Sequence, residues 1–105
     1  MRRGFLSRLL GLPALGMAVA YGETAPRDKI LIKSAWGSAD PTQASFAFHH
    51  ANAFAEGGHP VQIFLLGEAV SLMRTVVADS VVPVGWPPLA EAMAKSLEHK
   101  IPVHV

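Results

Sequence analysis

Lys29-Ile-Leu-Ile-Lys-Ser-Ala-Trp36 and Val61-Gln-Ile-Phe-Leu-Leu66, separated by the loop Gly37-Ser-Ala-Asp-Pro41 and an alanine-rich segment, decide how this chain folds. Each of the two quoted stretches reads as a short apolar strand. Between them, residues 42–56 carry apolar positions at helical spacing until Gly57-Gly58 breaks the pattern. Strand, crossover helix and strand in that order make a βαβ unit, which sets two neighbouring strands parallel. Parallel strands share one direction, so loop 37–41 and the turn at Gly67-Glu68 arrive at the same edge of the sheet. Open α/β sheets hold their ligands at that edge, outside the carboxyl ends of the strands.

Working outward, Asp40 before Pro41 is an N-cap followed by a proline suited to the first helical position. On a helical wheel Ala44, Ala47, Phe48, Ala51, Phe54 and Ala55 share a wide apolar face, with Ser45, His49, Asn52 and Glu56 opposite. Gly57-Gly58 supplies the left-handed residue that a helix stop needs. The unbroken apolar runs in both strands suit strands covered on both faces. Ala69 to Val77 reads as a short helix with Val70, Met73 and Val77 inward. Ala78 to Pro88, with three prolines and Trp86, reads as a surface loop. From Pro88 a second helix turns Leu89, Ala92, Met93, Ser96 and Leu97 inward, with Glu91 and Lys95 as an outer i, i+4 pair. Ile101 to Val105 reads as a third strand, with proline tolerated at its start. The chain stops directly on that strand, which leads us to expect a truncated sequence.

The other end has a different character. Arg2-Arg3 precedes an apolar run from Leu9 to Ala20 that ends small-x-small at Ala18-Val-Ala20, the marks of a secretory signal. The arginine pair followed by Phe5-Leu6 resembles a twin-arginine export signal, although Ser7 stands where that motif often has lysine. About 12 apolar residues are too few to cross a bilayer. Residues 1–20 are therefore expected to be a signal peptide cleaved after Ala20 or after Ala25. Residues 21–28 form a flexible lead-in, and the domain occupies 29–105.

The slight basic excess of +1 belongs to the signal. Without Arg2, Arg3 and Arg8, six of the nine basic residues face eight acidic ones, a net charge of −2. Nothing there argues for nucleic acid, and no membrane association is expected after cleavage. The remaining roughly 85 residues form a small core with no cysteine to brace it.

Ser34, Ser38, Asp40 and Glu68 cluster at the expected ligand edge. Ser38, Asp40, Gly67 and Glu68 are the candidate ligand-binding residues. Loop 37–41 has one glycine, so it carries no dinucleotide fingerprint. No Gly-x-Ser-x-Gly elbow is present for a hydrolase. Adjacent His49 and His50 point about 100° apart on a helix, whereas helical chelation needs i, i+3 or i, i+4. No metal site and no cofactor are expected, and His104 reads as a structural residue on a buried strand.

Lys29-Ile-Leu-Ile, Asp40-Pro41, the helix ending Glu56-Gly-Gly-His-Pro60, Val61-Gln-Ile-Phe-Leu-Leu-Gly-Glu-Ala-Val70 and the closing His99-Lys-Ile-Pro-Val103 together resemble the DsrE/DsrF-like sulfur-relay family over residues 28–105. The resemblance implies a three-layer α/β/α sandwich on a parallel sheet of about five strands, of which this chain holds about three. It also implies homo-oligomers, trimers or hexamers, and a sulfur donor or acceptor protein as partner. Many members carry a persulfide-bearing cysteine directly after the third strand. This chain has no cysteine, so no catalytic residue carries over, and the chain as given is expected to be inactive in sulfur transfer. The expected setting is the bacterial periplasm. The rival expectation is a non-catalytic, oligomeric small-ligand-binding module of the same compartment.

Replacing Arg2-Arg3 by a lysine pair is expected to hold the precursor in the cytoplasm, as read by fractionation and immunoblotting. Normal export and cleavage would instead mark a general secretory signal.

Overall fold

The computed structural model describes residues 27–105, so the signal-like segment 1–20 and residues 21–26 of the lead-in lie outside the described residues. Strand β1 (Ile30–Ser34) is followed by helix α1 (Pro41–Glu56) and strand β2 (Val61–Leu65). A 3₁₀ stretch (Gly67–Met73), helix α2 (Thr75–Asp79), helix α3 (Leu89–Glu98) and strand β3 (Val103–His104) complete the order. The fold is α/β, on a sheet of order β1-β2-β3 with both pairings parallel. Register runs from Ile30↔Val61 to Ser34↔Leu65, and from Ile63↔Val103 to Phe64↔His104. The central strand is β2, and β1 is an edge.

Side chains alternate across the sheet with the two-residue period of a strand. Val61, Ile63 and Leu65 are buried under the helices with Ile30, Ile32 and Val103 packed beside them. Leu31, Lys33, Gln62 and His104 are exposed on the other face. The expectation of strands covered on both faces fails among the described residues, and Leu31 is 57% exposed. The physical reason is topological. Strand order advances in one direction without reversal, and right-handed crossovers then lay every connecting helix on the same face. Among the described residues the sheet is incomplete, with three strands and one helical layer.

Helix α1 has two neighbours, and that rotates its buried surface away from the wheel drawn on apolar residues alone. Ala44, Ala47, Phe48 and Ala51 are buried in the core, but so are Ser45 and Asn52, which the wheel put on the outside. Phe54, expected inward, is 41% exposed and meets the His59 ring edge-on. Burial of the two polar residues is tolerated because each is bonded. Ser45 Oγ donates to the Pro41 carbonyl at 2.9 Å, and Asn52 Nδ2 donates to the Ala92 carbonyl of α3 at 3.0 Å. Ser96 Oγ in turn donates to Asn52 Oδ1 at 2.7 Å.

Both long helices end in the same double-bonded turn. At the end of α1, His59 N–H donates to Phe54 O and Gly58 N–H to Ala55 O, with Gly58 at φ +92°. At the end of α3, Ile101 N–H donates to Ser96 O and Lys100 N–H to Leu97 O. There the left-handed residue is Lys100 at φ +58°, a conformation that costs a non-glycine residue about 1 kcal/mol.

Three further inward assignments are corrected. Ala69 and Leu72 are buried instead of Val70 and Met73; in the 3₁₀ winding each pair is aligned at i, i+3, and the row turned inward is the first. On α3, Leu89, Ala92 and Ser96 face α1, and Leu97, one residue further round, is 79% exposed. Lys95 Nζ turns to Glu56 Oε2 of α1 at 3.7 Å and not to Glu91. That pair is half-exposed and adds little stability.

Phe48, 1% exposed beneath the sheet, is expected to lose about 3–5 kcal/mol on truncation to Ala. Phe54→Ala is expected to lose under about 1 kcal/mol, since half-exposed surface sites matter little. Urea titration of both variants checks the rotation of α1. Comparable losses would restore the apolar wheel.

Candidate functional site

The loop after β1 and the turn after β2 meet at the carboxyl edge because the two strands are parallel and end level at Ser34↔Leu65. The last rung is Leu66 N–H donating to the Ser34 carbonyl at 2.9 Å. Beyond it the connections touch. A Cβ at Gly37 would lie 2.8 Å from the Glu68 carbonyl oxygen and 3.0 Å from its Cβ, so only glycine allows this approach. Gly67 serves a different need, holding φ +50° to turn the chain into the 3₁₀ stretch.

Of the four candidate residues, Ser38, Asp40 and Glu68 border one open pocket of about 530 Å³ with Trp36 and Ser71. Gly67 shapes the turn but does not line the pocket. Ser34 faces elsewhere, its hydroxyl accepting from Trp36 N–H at 3.3 Å and lining a cleft beside β1. The groups that do meet have structural duties too. Asp40 Oδ1 accepts from Gln43 N–H at 3.0 Å as the N-cap of α1. The Glu68 carbonyl accepts from Ser71 Oγ at 2.8 Å.

Acidic side chains mark the carboxyl edge, whereas both signs meet at the amino edge, where Asp28, Glu56 and Glu98 lie among the basic residues. Asp40 precedes α1 and Glu68 sits in the first turn of the 3₁₀ stretch, both at the carboxyl edge. Lys29, His59, His99 and Lys100 border a pocket at the amino edge, where α1 and α3 end. Asp40 complements the positive start of α1, whereas α1 itself closes on Glu56 with no basic residue in its last turn. The carboxyl-edge pocket thus presents carboxylates, hydroxyls and the half-exposed Trp36 indole, a lining suited to a small polar or cationic group. It contains no thiol, since the chain has no cysteine.

The histidines do not converge. His49 Nε2 lies 3.3 Å from the Pro87 carbonyl, with its ring 4.9 Å from Trp86, while His50 stacks on Phe46 at 5.1 Å. His104 is exposed, not buried as expected, because β3 turns it to the open face, where its Nε2 lies 2.8 Å from Gln62 Oε1. Among the described residues no group of three or more His, Asp or Glu could hold a metal ion. Among the same residues no helix is long and apolar enough to cross a membrane.

Sequence reasoning missed the aromatic cluster of Phe46, His49, His50 and Trp86, whose rings stack or meet at an angle. Its one signal was a tryptophan inside a proline-rich loop, and local pattern does not say where such a loop lands. Compared with protein-family models, with characterised proteins and with solved structures, the chain matches none.

Gly37→Ala must push the Glu68 backbone away, and an overpacked contact of this kind is expected to cost about 1–3 kcal/mol. Ser38→Ala, at the exposed rim, is expected to stay within about 0.5 kcal/mol of the parent. Denaturant midpoints of the two variants measure this, and equal midpoints would show that the two connections are not in contact.

Proposed function

We propose that this chain is the amino-terminal part of an exported DsrE/DsrF-like sulfur carrier or transferase, with the carboxyl edge of its sheet as the working surface. One observation carries the reading. Strand β3 is parallel to β2, so chain leaving β3 emerges at the edge where Ser38, Asp40 and Glu68 are gathered. The resemblance calls for a cysteine directly after the third strand, and a residue there would arise beside that pocket. Its thiolate would attack the outer sulfur of a donor persulfide, breaking the S–S bond and releasing the donor's thiolate. The amino terminus of α1 at the same edge favours an anionic sulfur, whereas the nearby carboxylates oppose it. The working form in this reading is a periplasmic trimer or hexamer, fed and emptied by sulfur donor and acceptor proteins.

A second reading keeps the pocket and drops the chemistry. Ser38, Asp40 and Glu68 then bind a small polar ligand in a non-catalytic oligomer. The absence of a cysteine from the residues that follow β3 would favour it.

Extending the gene past Val105 and loading the product with a persulfide donor separates the two. The expected result is sulfur released as thiocyanate by cyanide, abolished by replacing a cysteine that follows β3. A reading frame without such a cysteine, or a product without cyanide-labile sulfur, would leave the binding module standing.

A further inference from the structure

Among the described residues strand β1 pairs on one side only. Ile30 N–H donates to the Pro60 carbonyl at 2.8 Å, and the Ser34 carbonyl accepts from Leu66 at 2.9 Å. In a parallel ladder the two backbone groups of one residue point the same way, so Ile30, Ile32 and Ser34 turn theirs to β2. The backbone groups of Leu31 and Lys33 point outward and have no strand partner among the described residues. Such an edge is a template for one more strand.

A second feature lies beside it. Between β1 and α1 runs an open cleft of about 200 Å³, bordered by Ile32, Trp36, Gln43, Phe46 and His50. Trp36 is half-exposed, and Phe46 is held in place by His50 stacked on one side and Trp86 edge-on at 5.8 Å. A strand added to β1 would turn every second side chain toward this cleft and the others toward the open face of the sheet.

The open face names the partner. Lys29, Leu31 and Lys33 are exposed at alternating positions along the edge, a basic–apolar–basic stripe. A second copy is a poor occupant. Antiparallel pairing of two β1 strands about Leu31 would set Lys29 of each opposite Lys33 of the other, and like charges directly opposed destabilise a sheet. The geometry points to β1 as a docking edge for an extended segment of another protein. That segment would present acidic side chains to Lys29 and Lys33 and an apolar side chain to the Trp36–Phe46 cleft. This surface is separate from the carboxyl-edge pocket, and under the sulfur-relay reading it requires the remaining strands of the expected sheet to join at β3 and not at β1.

The test uses the full chain and three synthetic eight-residue peptides: alternating glutamate–valine, the same peptide with alternate backbone amides N-methylated, and alternating lysine–valine. Amide hydrogen exchange at Leu31 and Lys33 is read by NMR. The glutamate–valine peptide is expected to slow both amides by about tenfold or more, while neither other peptide does so. Replacing Lys29→Glu and Lys33→Glu together is expected to shift preference to the lysine–valine peptide by about fivefold or more in Kd. Unchanged exchange with the glutamate peptide would overturn the proposal. Equal binding of the N-methylated peptide would too, since docking would then not use the backbone edge. Amides already protected in the free chain would show the edge occupied from within or by a second copy, as light scattering distinguishes, and would likewise overturn it.

Discussion

Parallel pairing of β1 with β2, in register from Ile30↔Val61 to Ser34↔Leu65, is the constraint from which the rest of this fold follows. Two strands pointing the same way need a crossover, and α1 supplies it. The crossover returns the chain to the amino edge, where Gly58 turns it into β2. The same pairing brings the loop after β1 against the turn after β2, close enough that Gly37 has no room for a side chain. The carboxyl-edge pocket is therefore a product of strand register before it is a product of any functional side chain.

A sheet whose strand order never reverses carries its helices on one face. That face holds a single core, with Phe48, Ile63, Leu65, Leu72 and Leu89 among its fully buried side chains. Burying each of these is worth about 1.5–3 kcal/mol, so they set the stability of so small a domain. Between α1 and α3 the packing is polar, through the Asn52–Ser96 bond and the Asn52 bond to the Ala92 carbonyl. In a low-dielectric interior such bonds are costly to leave half-made. They fix how α3 sits on α1, and with it where β3 joins the sheet. The uncovered face leaves Leu31 and His104 in solvent, and β1 with an outer edge.

Most of the order of elements was legible in the sequence because Asp40-Pro41 starts α1, Gly57-Gly58 stops it and apolar runs mark the strands, but the one helix expected over Ala69 to Val77 is a 3₁₀ stretch (Gly67–Met73) followed by α2 (Thr75–Asp79). Facing was less legible. A wheel of apolar residues assumes one greasy partner, and it misplaced Ser45, Asn52 and Phe54 because α1 has both a sheet and a second helix beside it. In the 3₁₀ stretch Ala69 and Leu72 are the buried row, not Val70 and Met73. Two-sided burial was inferred from apolar strands, but topology, which a run of isoleucines does not encode, decides coverage. At the candidate site, Ser38, Asp40 and Glu68 came together because parallel strands oblige them to. Gly67 lies in the turn and outside the pocket lining, and the Phe46–Trp86 contact was invisible because it joins a helix to a distant loop.

The central claim is that, among the described residues, helices cover one face of the sheet and leave the other open. Because the chain has no cysteine, single substitutions report on each face without background. Gln62→Cys and Ile63→Cys sit side by side on β2 and point in opposite directions. Labelling with a small thiol reagent under native conditions is expected to modify the residue 62 variant at nearly the rate of the unfolded chain. The residue 63 variant is expected to react only on unfolding. Equal protection at both positions would show a sheet covered on both faces and would contradict the one-sided architecture.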